Sequence, residues 1–201
     1  MYIVCLDLEG VLVPEIWITF AEKTGIKELR LTTRDISDYD ILMKKRIKIL
    51  KENNLKLKDI QKVIGSMEPL EGAKEFLDDL RAKTQIIILS DTFQEFAKPL
   101  MEKLGRPTLF CNSLVLDGDG SIVDYTLRQK DGKRQAVEAL RSIGFKVIAA
   151  GDSYNDVTML KAADRGIFFK PPQTISEEFS QFPVVHTHEA LMREIDKILS
   201  A

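Results

Sequence analysis

The sequence predicts an α/β protein built on a doubly wound parallel sheet, with a small helical segment inserted after the first strand. Four short segments are continuously apolar, as strands buried on both faces usually are: residues 2–6, 85–89, 146–150 and 166–169. Segments of helical periodicity separate the later strands. This strand–helix–strand alternation is typical of a parallel sheet with right-handed crossovers.

Apolar residues recur at helical spacing in residues 72–83, 92–104 and 133–143, and again in a final helix at 189–199. Two short runs flank Asp117-Gly118-Asp119-Gly120 and predict a β-hairpin over 114–125. The segment 171–182 has no clear periodicity and is predicted to be a loop.

The stretch between the first two strands is too long for one crossover helix. Residues 15–24, 38–53 and 58–65 each have an amphipathic pattern, which predicts a small helical bundle. The expected organisation is therefore a core domain of residues 1–14 and 70–201, with a helical cap domain of residues 15–69.

Composition excludes several classes of protein. The chain has 201 residues, a net charge of −2 and a pI near 5.8, which disfavours nucleic-acid binding. Its cysteines, Cys5 and Cys111, lie in apolar segments typical of reduced thiols. The N-terminus lacks a signal-peptide pattern and no apolar stretch is long enough to cross a bilayer, so we expect a cytoplasmic protein without a membrane partner. The sequence does not predict an oligomeric state.

Two carboxylates follow the first strand directly. Asp7 and Glu9 are two positions apart and would point the same way if the strand continued, and Gly10 allows the chain to turn behind them. In open α/β sheets ligands bind beyond the carboxyl ends of the strands, where this pair would lie. The alternative is that the two residues only end the strand.

A second acidic cluster, Gly151-Asp152-Ser153-Tyr154-Asn155-Asp156, follows the strand at 146–150. Asp152 and Asp156 can therefore converge with Asp7 and Glu9. Crowded carboxylates repel one another unless a cation neutralises them, and oxygen ligands select a hard ion such as Mg²⁺. His186 and His188 suggest a zinc site only weakly and are interpreted as ordinary surface or loop residues.

A hydroxyl and a cation complete the candidate site. The strand at 85–89 runs into Ser90-Asp91-Thr92, where Ser90 is either an anion ligand or a simple helix cap. Lys133 stands at a predicted helix start, where the macrodipole disfavours a cation unless an anion is near. Lys130 and Arg134 are rivals that periodicity does not exclude.

These four motifs, in this order along the chain, resemble the haloacid dehalogenase superfamily of phosphatases and phosphotransferases, whose core is Rossmann-like. The resemblance implies that Asp7 is the nucleophile and Glu9 the general acid and base. It implies that Mg²⁺ binds Asp7, the backbone carbonyl of Glu9 and Asp152. Asp156 would contact the groups around the metal rather than the metal itself. Phosphate and substrate would contact Ser90, the Asp91 N–H and Lys133, and Asn155 would bind and position the substrate or position Lys133.

The inserted helices resemble the cap of the phosphoserine phosphatase branch. In that branch an acidic residue after the first motif binds the substrate ammonium and a cap arginine binds its carboxylate, which implies these roles for Glu15 and Arg46. Without the resemblance, a glutamate at a helix start and one more charge on a solvated face would be preferred. Glu9 in place of the usual Asp, and Ser90-Asp91-Thr92 in place of Ser-Gly-Gly, are similar to bifunctional members that also transfer phosphate to homoserine, in serine and threonine biosynthesis.

Two other classes of protein fit these motifs less well. A response-regulator receiver also has an acidic cluster, a hydroxyl and a lysine around Mg²⁺, but the 55-residue insertion and Glu9 disfavour a non-catalytic switch. A dinucleotide-binding domain is weaker, because no Gly-x-Gly-x-x-Gly follows the first strand. A phosphatase for another small phosphomonoester is a third possibility.

Overall fold

A computed structural model describes residues 1–33, 35–36 and 38–200, and within them seven strands form one sheet. The sheet has the order β4-β3-β2-β1-β5-β6-β7, and its described strand pairs are parallel except for β3 with β4. The strands are β1 (Tyr2–Leu6), β2 (Gln85–Phe93), β3 (Leu109–Leu116), β4 (Ile122–Thr126), β5 (Lys146–Gly151), β6 (Arg165–Phe169) and β7 (Val184–Val185). The predicted α/β class and parallel sheet are confirmed.

Helices cover both faces of the sheet, as its two-sided hydrophobicity requires. They are α1 (Ile16–Thr24), α2 (Tyr39–Glu52), α3 (Leu57–Gly65), α4 (Ala73–Arg81), α5 (Gln94–Lys103), α6 (Gly132–Ser142), α7 (Val157–Ala162), α8 (Gln173–Glu178) and α9 (His188–Leu199). Short 3₁₀ turns lie at Lys27–Arg30 and Tyr154–Asp156.

Alternating strand side chains divide the interior into two cores. Phe168 packs with α6, α7 and α8 on one face, whereas its neighbour Phe169 packs on the other face with α4, α5 and α9. The second core continues without a break into α1, α2 and α3, where Trp17 meets Phe96 edge-on with ring centroids 5.5 Å apart. The inserted helices are therefore joined to the sheet by shared apolar packing.

The β3–β4 hairpin also contacts the inserted helices. Lys56 Nζ lies 2.8 Å from Asp119 Oδ2, and the Leu57 N–H donates to the carbonyl of Gly120 at 3.1 Å. Nearer the base of the hairpin, the hydroxyl of Tyr125 donates to Asp40 Oδ1 at 2.9 Å. These contacts form a bridge from the edge of the sheet to the N-termini of α2 and α3.

Three expectations from the sequence are wrong. Residues 173–178 form helix α8 rather than a loop, because one buried residue, Ile175, anchors a turn too short to show periodicity. Strand β2 runs through Phe93, so residues 90–92 belong to the strand and α5 begins only at Gln94. His188 is buried rather than a surface or loop residue.

The described helices include none with the length and apolar character needed to cross a membrane.

Candidate active site

Neighbouring parallel strands bring the predicted motifs to one edge of the sheet. β1 lies between β2 and β5, so the residues that follow Leu6 are flanked by the ends of both strands. A cavity of about 150 Å³ opens there, between the sheet and helices α1 and α2. Its lining contains Asp7, Glu9, Glu15, Arg46, Ser90, Asp91, Lys133, Asp152 and Asn155. This volume is small compared with that of drug-sized pockets and suits a compact ligand.

Asp7 is held in a buried position. The residue is 4% exposed. Its Oδ1 accepts hydrogen bonds from the Leu8 N–H at 2.7 Å and from Lys133 Nζ at 2.8 Å. Burial, and then repulsion from Asp156, raise the pKa of Asp7 well above its ordinary value, although Lys133 opposes the shift. A cation beside Asp7 would favour its ionised form.

Lys133 is equally buried and pairs with two carboxylates. Its Nζ lies 2.7 Å from Asp156 Oδ1 as well as 2.8 Å from Asp7 Oδ1. Burial alone would lower the pKa of Lys133, but Asp156 and Asp7 raise it well above the usual value. Lys133 therefore stays charged. Of its two rivals, Lys130 is exposed and Arg134 pairs with Asp131 and Glu138 at the surface.

Asp156 is fully buried, and both of its oxygens have partners. Oδ1 meets Lys133, and Oδ2 accepts from the backbone N–H groups of Asp152 and Ser153, each at 3.0 Å. A Cβ at Gly151 would lie 2.4 Å from the Asp156 side chain, so glycine is required for this approach. The contacts fit a supporting residue that fixes Lys133 and the Asp152 loop.

The acidic groups of this edge fit a hard divalent cation. Asp7, Asp152 and Asp156 each offer a carboxylate oxygen, and these atoms lie within 4.8 Å of one another. A Cβ at Gly10, which has φ +79°, would lie 2.5 Å from Asp152 Cγ. The Asp152 carboxylate is thus packed directly against the backbone after Glu9, where only glycine leaves room.

Glu9 lies on the side of the cavity that faces the inserted helices. Its Oε2 accepts a hydrogen bond from the Ile16 N–H at 2.8 Å. Burial, and then repulsion from Glu15, raise the pKa of Glu9 to about 8. At neutral pH this side chain is therefore mainly a protonated acid.

Arg46 is buried rather than part of a solvated face. The residue is 6% exposed, its guanidinium carbon lies 4.5 Å from the ring centroid of Trp17, and Nη2 donates to the Leu31 carbonyl at 2.7 Å. Among the described residues its Nε is the buried side-chain polar atom that has no hydrogen-bond partner. Burial lowers the pKa of Arg46 to about 10, so it remains a cation. A buried cation with an unused donor is a site for an anion.

The segment Ser90-Asp91-Thr92 forms the third side of the cavity. Ser90 does not cap a helix; its Oγ accepts from the Thr92 N–H at 3.2 Å. The Asp91 carboxylate accepts from Asn155 Nδ2 at 3.0 Å and lies 3.9 Å from Lys133 Nζ. This hydrogen bond links the 3₁₀ turn after β5 to the carboxyl end of strand β2.

Two residues that the sequence analysis missed orient this segment. The hydroxyl of Tyr39, at the start of α2, donates to the Asp91 carbonyl at 3.2 Å. Asn112 Nδ2 donates to the same carbonyl at 3.0 Å, while its Oδ1 accepts from the Arg128 N–H. No local pattern marks either residue, because each contact joins segments far apart in sequence.

This fold and site define a hydrolase of the haloacid dehalogenase type. The family model for haloacid dehalogenase-like hydrolases matches residues 2–164, and the chain therefore belongs to that family. The resemblance found in the sequence is confirmed.

Two curated relatives are similar over most of the chain. The first, phosphoserine phosphatase ThrH of Pseudomonas aeruginosa, is 61% identical over 200 residues, covering 100% of this chain and 98% of that protein. A phosphoserine phosphatase of Pseudomonas syringae pv. tomato is 61% identical over 195 residues, covering 97% of this chain and 82% of that protein. A solved phospho-aspartyl intermediate analogue of phosphoserine phosphatase shares the fold, with a TM-score of 0.76, 23% identity and 98% of each chain covered.

Proposed function

We propose that this protein is a Mg²⁺-dependent phosphoserine phosphatase that works through an aspartyl-phosphate on Asp7. The proposal depends on one observation: a single small cavity has two differently charged ends, each suited to a different part of the same substrate. One end has a buried carboxylate beside Lys133, and the other has buried Arg46, with an unused donor, beside Glu15. Phosphoserine combines a phosphate, a carboxylate and an ammonium group, which match these ends. The 61% identity to the P. aeruginosa phosphoserine phosphatase supports the same substrate.

In the first step, an oxygen of Asp7 attacks phosphorus in line and the bond from phosphorus to the serine oxygen breaks. The departing oxygen takes a proton from Glu9, which its raised pKa keeps protonated at neutral pH. Lys133, Ser90 and the Asp91 N–H hold the other phosphoryl oxygens and stabilise the charge that develops on them. The products of this step are free serine and phospho-Asp7.

In the second step, water attacks the phosphorus of phospho-Asp7 and gives a proton to Glu9, now a carboxylate. The bond between phosphorus and the Asp7 oxygen breaks, which releases inorganic phosphate and restores both side chains. The buried ion pair of Lys133 with Asp156 keeps the lysine aimed at the reacting centre throughout.

Mg²⁺ would be held by Asp7, the backbone carbonyl of Glu9 and Asp152, and when bound it offsets the repulsion between the Asp7 carboxylate and the phosphate. Asp156 would support this site without contacting the ion, because its oxygens already have partners.

The division into a core of residues 1–14 and 70–201 and a cap of residues 15–69 belongs to the same proposal. Helices α1 and α2 of this segment cover the cavity from one side, and Glu15 and Arg46 come from the same segment. In this division the cap supplies substrate selection and the core supplies the chemistry.

Transfer to homoserine is the finer part of the proposal. The homoserine hydroxyl would take the place of water, give its proton to Glu9 and form a bond to phosphorus as the bond to Asp7 breaks. Glu9 has one methylene more than aspartate, which lets its carboxyl group reach a differently placed acceptor. The cavity end that holds the serine carboxylate and ammonium would hold those of homoserine.

A phosphomonoester panel tests the proposal most directly. Purified protein is given phosphoserine, phosphothreonine and sugar phosphates, each with Mg²⁺ and with EDTA. Phosphoserine should be hydrolysed fastest, and EDTA should abolish the reaction. Faster hydrolysis of another ester would reassign the substrate, and an acyl-phosphate that persists without turnover would favour the receiver-like switch.

Variants of Asp7 and an added acceptor test the chemistry. Asp7→Asn should reduce turnover by on the order of 10⁴-fold and form no trapped acyl-phosphate, whereas the exposed control Asp79→Asn should behave as wild type. Phosphoserine with homoserine should yield O-phosphohomoserine; free phosphate alone would contradict transfer.

A further inference from the structure

His188, the first residue of α9, bridges two segments of the chain far from it in sequence. One segment connects β1 to α1 and contains Val11, and the other connects α3 to α4 and contains Glu71. The Nε2 atom of His188 lies 2.7 Å from the Val11 carbonyl oxygen, and Nδ1 lies 3.0 Å from the Glu71 carbonyl oxygen. The residue is 6% exposed.

Both partners of the ring are acceptors. A carbonyl oxygen cannot donate, and a neutral imidazole carries only one N–H. With one nitrogen unprotonated, a lone pair would face a carbonyl lone pair at hydrogen-bond distance. Only the imidazolium form donates to both oxygens, and hydrogen bonds from a charged donor are the stronger kind.

Aromatic rings enclose the imidazole on its faces. The Phe169 ring is stacked on it with centroids 4.7 Å apart, and the Phe76 ring is tilted against it at 5.4 Å. Aromatic faces attract cations, which lowers the cost of removing the charge from water.

Some charged groups on the surrounding elements favour a positive charge on His188, and others disfavour it. The N-terminal end of α9 disfavours a cation, as do Lys74 on α4 and Lys170, whose Nζ lies 5.2 Å from the Phe169 ring centroid. Three acidic residues on the same elements oppose these bases: Glu71, Glu75 and Glu189, the last of which pairs with Arg193. Glu9 adds no charge here, because its raised pKa keeps it mainly protonated at neutral pH. The opposite charges nearly balance. The two carbonyl contacts therefore decide the charge.

The bridged segments lead directly into the site. Leu70 N–H donates to the Leu12 carbonyl at 2.9 Å, so the segments already touch beside His188. Val11 is two residues beyond Glu9, and Gly10 N–H donates to the Val13 carbonyl at 2.8 Å within the same tight loop. A displacement of Val11 would move Glu9.

We propose that His188 is a buried imidazolium that fastens both connecting segments and thereby positions the Glu9 loop. It is a positioning residue, since it acts through the Val11 and Glu71 carbonyls. The charge state stands on geometry alone, whereas the effect on turnover rests on the proposed catalytic role of Glu9.

Nitrogen NMR tests the charge state. The chain has two histidines, and the other, His186, is exposed. In the ¹⁵N-labelled His186→Gln protein, every imidazole signal belongs to His188. At neutral pH both ring nitrogens should show the shift of protonated nitrogen; one signal at the unprotonated position would overturn the proposal. This measurement does not depend on activity.

Kinetics test the positioning role. His188→Phe keeps the aromatic packing but removes both donors, and it should lower kcat by about tenfold with a smaller change in KM. His188→Gln, whose amide can still donate, should lose about threefold, and His186→Gln should match wild type. Hydrogen exchange should accelerate in residues 8–13 and 70–72. Wild-type kcat in His188→Phe, or failure of both variants to fold, would overturn the positioning role.

Discussion

The two ends of the cavity differ in how completely their charged groups are paired. At the sheet end, Lys133 meets Asp7 and Asp156, and Asp156 also receives two backbone N–H groups. At the helical end, Arg46 is buried with an unpaired Nε, and Glu9 retains its proton at neutral pH. The charged groups of the sheet end are thus fixed in place before a ligand binds. At the helical end, by contrast, the Nε of Arg46 becomes paired only when a ligand binds.

Among the variants that change the pairing of the two ends, Lys133→Met should have the largest combined effect on stability and turnover. Lys133→Met leaves Asp7 and Asp156 buried without their cation, so we expect a loss of about 3–5 kcal/mol in the free energy of unfolding. Turnover should fall by on the order of 10³-fold, because phosphate loses its cationic ligand. Urea unfolding and kcat measurements check both, with the exposed Lys130→Met as control. A stable, active Lys133→Met protein would show that the pairing at the sheet end is not essential.

Glu9→Gln should rank next. Glutamine keeps the shape of the side chain but cannot exchange a proton, so kcat for phosphoserine should fall by about 10²- to 10⁴-fold. The loss should be smaller for an ester with a good leaving group such as p-nitrophenyl phosphate, because formation of phospho-Asp7 then needs no acid. Equal losses for both esters in single-turnover experiments would argue against Glu9 as the proton donor.

The same side chain should make stability depend on pH in metal-free protein. Burial, with repulsion from Glu15, raises the pKa of Glu9 from 4.5 to about 8. Between these values the folded chain holds a proton that the unfolded chain releases, so stability falls as pH rises. Glu9→Gln lacks this effect and should gain stability relative to wild type from about pH 5 to about pH 8. Urea titrations in EDTA would detect it; parallel pH curves for the two proteins would contradict it.

Arg46→Met should mainly affect binding. A hydrogen bond to a charged group contributes about 1.5–3 kcal/mol, so KM for phosphoserine should rise by about 10- to 100-fold. An ester without a carboxylate, such as phosphoethanolamine, should be hydrolysed as by wild type. The neighbouring exposed Lys45→Met serves as control. Equal losses for both esters would mean that Arg46 does not recognise the carboxylate.

Tyr39→Phe should have the smallest effect. It removes one of the two hydrogen bonds to the Asp91 carbonyl and leaves the one from Asn112, so we expect a two- to sixfold fall in kcat/KM, corresponding to about 1 kcal/mol. Tyr125→Phe serves as the control, because it removes a tyrosine hydroxyl whose hydrogen bond goes to Asp40 instead of Asp91. Steady-state kinetics should separate the two variants, and an unchanged Tyr39→Phe would assign the orientation of Asp91 to Asn112 alone.

The sheet end could be predicted from the sequence to a large extent. Its residues follow continuously apolar strands, and the carboxyl ends of adjacent parallel strands must meet, so Asp7 and Asp152 converge by topology. Sequence spacing left three candidates for the lysine, and the choice of Lys133 depended on burial. The extension of β2 through Phe93 was not predictable, because a hydroxyl and a carboxylate interrupt its apolar pattern.

The helical end was less predictable because its chemistry arises from tertiary contacts. Arg46 lies among Lys44, Lys45 and Lys48, and helical periodicity alone assigns it to the solvent. Its burial depends on stacking against Trp17 and on the Leu31 carbonyl. His188 was misassigned for the same reason, since both of its carbonyl partners are more than 100 residues away in sequence.

The bridge between the β3–β4 hairpin and the inserted helices has a mechanical consequence. Lys56 with Asp119, and Tyr125 with Asp40, are solvent-exposed contacts of the kind that contribute about 1 kcal/mol or less each. On the opposite side the covalent segments, the Leu70–Leu12 hydrogen bond and His188 hold the helices firmly. The hairpin contacts should therefore break before the contacts beside Glu9, and the core shared by Trp17 and Phe96 should keep the inserted helices on the sheet after the bridge is lost.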